Sequence, residues 1–263
     1  MMNVMLSIFP PLLSDYTVLA LFIAGAIAGG FINGFAAFGT ALFTLGFWLA
    51  IMPPLQAVSI IVVSSTVTGL QGLWLVRTEM RQHPKRMSRF VLPGIIGIPL
   101  GIASLQLVNV DDLKLIIGIF MLGYGLFFMA RKTLPTITGY YPVADIVIGF
   151  IGGILGGLAA LSGALPTFWL SLRDWPKAEI RAVLQPFNVT ILLLTSCLFW
   201  WQGVYDQQTL ILLLISLPIN IVSAQFGIMI FKQLQDIHFR RVLISLMFVS
   251  GVITLISALS VFS

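Results

Sequence analysis

From Tyr16 to Val76 the chain carries no Asp, Glu, Lys or Arg. At about 1.5 Å rise per residue that run is long enough for three helical passes through a bilayer, each needing about 20 residues. Four further charge-free runs, Phe90–Val110, Ala182–Tyr205, Gln207–Phe231 and Val242–Ser263, each allow one crossing. Composition agrees: 59% of residues are hydrophobic and 9% charged, against about 25% charged in soluble domains. A small water-soluble core could not bury that much apolar surface. A β-barrel would alternate polar and apolar residues in segments of roughly ten, and these runs do not. The reading is an all-α polytopic membrane protein in a lipid bilayer. Its start, MMNVMLSIFPPLLSDY, lacks the basic region of a cleaved signal peptide. The one cysteine, Cys197, excludes an internal disulfide and reads as packing within an apolar helix.

The basic residues are clustered. Arg77, Arg81, Lys85, Arg86 and Arg89 fill one loop, and Arg131 and Lys132 mark a second. Arg173, Lys177 and Arg181 mark a third; Lys232, Arg240 and Arg241 mark a fourth. Only Lys114, beside Asp111 and Asp112, stands apart. Loops rich in Lys and Arg stay in the cytoplasm. Crossings at Phe90–Val108, Leu113–Ala130, Ala182–Trp201, Thr209–Phe231 and Val242–Phe262 then put thirteen of the fourteen basic residues inside and both termini outside. The net charge of +5 is thus a topology signal with lipid headgroup contacts, and no nucleic-acid partner is expected. Trp200, Trp201 and Tyr205 suit an aromatic belt at the outer face.

One phrase occurs twice. GGFINGFAAFGTAL (Gly29–Leu42) and GGILGGLAALSGAL (Gly152–Leu165) share seven of fourteen positions at an offset of 123. Pro53 and Pro176 follow at the same offset. VLPGIIG (Val91–Gly97) pairs with SLPINIV (Ser216–Val222), and KLIIGIFMLG (Lys114–Gly123) with RVLISLMFVS (Arg241–Ser250). The chain divides into an N-terminal segment 1–16, a first repeat 17–132, a linker 133–142 and a second repeat 143–263, forming one integral membrane domain. Counting crossings, the first phrase leaves from and returns to the outside, the second the inside. The two repeats are expected to be inverted, each with a glycine-rich broken or re-entrant helix pair plus three transmembrane helices. After Val143–Leu161 only Ser162–Leu172 precedes Arg173, too few residues to span. Glycine costs about 1 kcal/mol against alanine inside a helix, so the glycine clusters are expected to interrupt it. The alternative is that Gly29, Gly30, Gly152, Gly153, Gly156 and Gly157 allow close helix packing.

Inverted repeats with glycine-interrupted segments in both halves point to a transport site near the midplane. Half-helices starting near Phe38–Thr40 and near Ser162–Ala164 would aim their positive N-terminal ends at it. Asn33, Gly34, Phe38, Gly39 and Thr40 form the first tip, Ser162 and Gly163 the second. In EIRAVLQPFNVT, the residues Arg181, Gln185 and Asn188 share one helix face, with Pro186 loosening the backbone. Ser64, Thr68 and Gln71 share a face in the first repeat, and Ser65 matches Asn188 at offset 123. Unpaired amides in hydrocarbon are costly, so these faces should look inward; bonding between helices is the other use they could have. No carboxylate lies in the middle of a span, and Asp145, near the start of its segment, is expected to face headgroups or a helix end. Donors without acceptor charge suit an anion.

Enzyme chemistry finds little support. The histidines, His83 and His238, fall in loops; there is no Cys/His cluster for a metal, no phosphate-binding loop and no paired acids. No catalytic residue, metal or cofactor is expected. ALSG (Ala160–Gly163) lacks a base for a serine nucleophile.

GAIAGGFINGFAAFGTALFTLGFWLAIMPPLQAVSIIVVSS resembles the first signature region of the TauE/SafE sulfite exporter family. GFIGGILGGLAALSGAL with WPKAEIRAVLQPFNVT resembles the second copy, and VLPGIIGIPLG a later helix start; the resemblance spans about 17–260. Where members often carry a Gly-x-Gly-Gly-Gly run, this chain has FAAFGTA and LAALSGA. The resemblance implies a multi-pass permease of the cytoplasmic (inner) membrane for a small sulfur-containing anion, sulfite or an organosulfonate. Transport would be by alternating access, one repeat moving against the other. A passive anion channel and a non-transporting scaffold stay open as alternatives, and the sequence sets no oligomeric state.

Overall fold

The computed structural model describes residues 15–82, 84–105, 107, 112, 115, 119, 122, 123, 126, 137–234 and 252. The crossings expected at Leu113–Ala130 and Val242–Phe262 fall almost entirely outside them, as do both histidines and most of the segment 1–16. Nine helices are described: α1 (Tyr16–Ala36), α2 (Thr40–Trp48), α3 (Pro54–Leu75), α4 (Arg77–Gln82), α5 (Pro84–Leu105), α6 (Pro142–Ala159), α7 (Ala164–Ser171), α8 (Lys177–Trp201) and α9 (Gln207–Gln233). Six of them, α1, α3, α5, α6, α8 and α9, are long and apolar enough to cross a bilayer. The chain is a multi-pass helical membrane protein. The described residues contain no strand, only an isolated bridge between Ile137 and Arg173.

Local chemistry sets the helix starts. The Asp15 carboxylate caps α1 by accepting from the Thr17 N–H at 2.7 Å, and Asp206 caps α9 through Thr209 N–H at 2.7 Å. Hydrogen bonding from the Thr209 side chain, and then from its backbone N–H, holds the Asp206 carboxyl below the usual carboxylate range. Pro53 and Pro176 stand just before α3 and α8, with extended ψ values of 150° and 148°. A ring-locked φ suits that entry and an absent N–H costs nothing there.

α1 and α6 stay helical through Gly29–Gly34 and Gly152–Gly157, and the break expected in each glycine-rich phrase comes just beyond these residues, at Ala37–Gly39 and Ala160–Gly163. In lipid every backbone N–H and C=O needs a partner, and an unbroken helix supplies it. The glycines serve close packing instead. A Cβ on Gly34 would come within 2.0 Å of Ala224 O, and one on Gly30 within 2.5 Å of Asn220 O, so α9 lies against the α1 backbone. On α6, a Cβ on Gly153 would meet Gly94 O at 1.9 Å and one on Gly157 would meet Ile98 O at 2.5 Å. Gly30/Gly34 and Gly153/Gly157 correspond at offset 123.

Helix directions follow from these contacts. Residues 30 and 34 of α1 meet 220 and 224 of α9, so the two run parallel. Gln56 and Gln71 of α3 meet Thr209 and Gln225 of α9, again parallel. Residues 94 and 98 of α5 meet 153 and 157 of α6; Arg86 and Phe90 of α5 meet Glu179 and Phe187 of α8. Ser59 lies near Tyr205 and Gly69 near Gln185, so α3 and α8 are antiparallel. Thus α1, α3 and α9 run one way and α5, α6 and α8 the other. The nine described Lys and Arg residues all belong to one end of this array, called here the basic end.

The helices form two mixed bundles. One combines α1, α2 and α3 with α9; the other combines α5 with α6, α7 and α8; α3 against α8 is the main contact between them. Each bundle therefore joins a glycine-rich hairpin from one half of the sequence to a crossing from the other.

At the basic end Asp145 is buried, not turned to headgroups. Its carboxylate lies 3.5 Å from the Arg173 guanidinium and 3.8 Å from that of Arg89, and accepts from Trp169 Nε1–H at 2.8 Å. Opposite charges and a donor compensate its burial. Cys197 is exposed on the surface of α8 rather than packed, and Gln71 pairs with Gln225 away from the interior.

Candidate functional site

Each long arm ends in a bend, and a short helix returns beside it. α1 ends at Ala37, in the left-handed conformation with φ 68°, followed by Phe38 and Gly39 with φ 92°. α2 then starts at Thr40 and folds back along α1. Thr44 Oγ1 donates to Gly25 O at 3.1 Å, and Trp48 Nε1–H donates to Phe22 O at 3.0 Å while its ring stacks on Phe22 at 5.1 Å. In the second copy α6 ends at Ala160, left-handed with φ 56°, and α7 starts at Ala164. Both half-helices begin within the windows expected from sequence. Ala37 and Ala160 are themselves 123 apart, so the two copies place their bends at equivalent residues.

The two tips meet. A Cβ on Gly163 would lie 2.5 Å from the Phe38 Cβ and 2.6 Å from Asn188 Nδ2. Between the tips is a small cavity of about 10 Å³, room for about one water. Asn33, Ala37, Phe38, Gly39 and Thr40 line it from the first hairpin, and Ala160, Ser162 and Gly163 from the second. Ser65 and Gly69 of α3 and Gln185, Asn188, Val189 and Leu192 of α8 close the sides. None of these lining residues carries a charge.

Asn188 ties both tips together. Its Nδ2 donates to Ala37 O at 2.7 Å, and its Oδ1 accepts from Ser162 Oγ at 2.7 Å. Asn33 Nδ2 donates to Ser65 O at 3.1 Å and Thr68 Oγ1 at 2.5 Å, joining the first tip to α3. Gln185 Nε2 donates to Gly69 O at 2.9 Å, while its Oε1 is buried without a partner. The Ser65 hydroxyl is also buried and unpartnered.

Nine of the twelve residues expected from sequence therefore lie together around the cavity. Three do not line it. Gly34 packs on α9, and Ser64 is buried beside Ser65 with an unpartnered hydroxyl. Arg181 is 3% exposed and sits below the first tip, donating to Gly34 O at 2.8 Å and Phe35 O at 3.2 Å. Sequence reasoning passed over Ala37, Ala160, Gly69, Val189 and Leu192. The last three stand four residues after Ser65, Gln185 and Asn188, the helical same-face spacing. The alanines sit in the Ala-Ala pair that both copies share.

Electrostatically the site is donor-rich. Thr40, which starts α2, and Gly163, just before α7, line the cavity, and the leading N–H groups of a helix lack intrahelical acceptors. The competing negative end of α1 is largely neutralised, because Arg181 and Asn188 occupy the carbonyls of Gly34, Phe35 and Ala37.

Neither a curated protein nor a solved structure matches the chain. The profile of one family, described as sulfite exporter TauE/SafE, matches residues 21–254, so that with this coverage, and with multi-pass helices enclosing a donor-rich hollow, the chain belongs to the TauE/SafE sulfite exporter family of membrane transporters.

Proposed function

We propose that this protein is a permease that moves a small oxyanion of sulfur, sulfite or an organosulfonate, across the cytoplasmic membrane by alternating access. The observation that carries this reading is the meeting of two half-helix N-termini at an uncharged cavity whose other polar groups are amides and hydroxyls. Helix N-termini attract anions, and no carboxylate among the described lining residues opposes one. Asn33, Thr40, Ser65, Ser162, Gln185 and Asn188 would supply side-chain contacts, and the backbone around Phe38, Gly39 and Gly163 the rest.

The opposed directions of α1 and α6, together with matching glycine contacts at corresponding positions, support two inverted repeats over 17–132 and 143–263. The collected basic residues support a cytoplasmic basic end, the orientation that goes with both chain termini outside. A cavity with room for about one water is closed to sulfite, so passage needs a change of shape. That favours a permease over a standing channel. The moving bodies would be the two mixed bundles rather than the two repeats, because close glycine packing joins helices of opposite repeats.

Counterflow in proteoliposomes tests this with labelled sulfite, sulfonates, sulfate and carboxylates. Saturable uptake, accelerated by sulfite or a sulfonate on the far side, is expected. A sustained single-channel current would favour a channel. Absence of flux for every sulfur oxyanion would reject the reading.

A further inference from the structure

Arg181 is a buried cation outside the cavity, and no carboxylate lies within ion-pair distance of it among the described residues. Its donors go to the carbonyls that end α1, and its guanidinium lies 4.3 Å from the centre of the Phe231 ring near the end of α9. One turn earlier on α8, Lys177 approaches the other side of the same contact. Its Nζ donates to Phe231 O at 3.2 Å and to Leu234 O, and stands 5.0 Å from the Phe231 ring.

Two cations of one bundle thus grip the C-terminal ends of two helices of the other, where the helix dipoles are negative. A buried charge held, among the described residues, by carbonyls and a ring is an expensive way to fill space. It is a good way to make a contact that can release, since bonds to neutral carbonyls are weaker than bonds to carboxylate. The position fits such a role. Along α8, Lys177 and Arg181 lie between the basic end and the cavity residues Gln185 and Asn188. The contact is also one-sided, because the residue matching Arg181 at offset 123 is Val58.

We propose that Lys177, Arg181 and Phe231 form a latch that closes the cavity toward the basic end and releases when the two bundles part there. The proposal rests on the permease reading above, but its test does not require the transported anion to be known.

The test uses the full chain in membrane vesicles of both orientations. Cys197→Ser removes the native thiol, and Ser65→Cys places one in the cavity wall. A membrane-impermeant thiol reagent then reports access from each face. Adding Arg181→Gln should raise the labelling rate from the basic end about tenfold, as expected for loss of charged hydrogen bonds, and leave the opposite face unchanged. Lys177→Gln, at the half-buried rim and less disruptive to folding, should raise it severalfold. Unchanged labelling in the Lys177→Gln variant, or an equal rise from both faces, would overturn the latch. Sulfite counterflow by the native chain is read separately. One-sided labelling without sulfite flux would keep the latch and reject the substrate.

Discussion

The two hairpins share a backbone and differ in what holds them. In the first, α2 is tied to α1 by neutral bonds, Thr44 to Gly25 O and Trp48 to Phe22 O, with the Trp48 ring stacked on Phe22. In the second, the base of α7 joins a charged cluster: Asp145 faces Arg173 and Arg89, and Trp169 donates to the same carboxylate. The Arg173 guanidinium also lies 4.6 Å from the Trp169 ring centre and 5.2 Å from that of Tyr141. At the tips the difference reverses. The first tip receives a cation from α8, whereas the second is tied to α8, among the described residues, by the neutral Ser162–Asn188 bond. Both facts follow from opposed directions. The second hairpin opens at the basic end, where charges lie near water, and the first presents its tip toward that end. A duplicated backbone can thus keep its bend while each copy takes the fastenings its surroundings allow.

Removing charge should separate the hairpins most. Asp145→Ala leaves two arginines facing a missing carboxylate and should cost about 3–5 kcal/mol, read as early thermal unfolding of the purified protein. A small change would mean that the cluster is not what fastens the second hairpin. Next come the glycine faces. Gly34→Val and Gly157→Val press a side chain onto Ala224 O and Ile98 O respectively, and each should cost about 1–3 kcal/mol. Equal losses would sharpen the correspondence between the copies, whereas a loss confined to one would break it. The smallest effect is expected at the bends. Ala37→Gly and Ala160→Gly relieve a left-handed alanine but free the unfolded chain, so melting should shift by the equivalent of less than about 1 kcal/mol. A large loss in either would show that the methyl group packs against something the bend needs.

Much of this was legible before the fold. Among the described residues, charge-free runs marked α1, α3, α5, α8 and α9, the basic residues marked one common end, and the repeated phrase located both half-helix starts. The glycines misled in one respect. Propensity in water reads Gly29, Gly30 and Gly34 as weak points, but in lipid the backbone bonds only to itself, and the same residues become contact faces. Asp145 lies at a helix end, in the first turn of α6, as one of its two readings had it; its burial was not legible because its partners Arg89 and Arg173 come from distant segments, and no helix periodicity carries that information. Arg181 shared a face with Gln185 and Asn188 as expected. Its side chain reaches the first tip from below, and that depends on where α1 ends in space. Cys197, in an apolar run, could not be assigned to a buried or an exposed side by spacing alone.

The exchange of helices between the bundles has a consequence for how the protein is made. α1 leaves the ribosome well before α9, the surface it fits, which comes nearly two hundred residues later in the message. Its glycine stripe must wait in the membrane, against lipid or a helper, until α9 has been made. A gene cut at the linker would yield two products, each holding an orphaned stripe, and only their joint production would restore a seated pair.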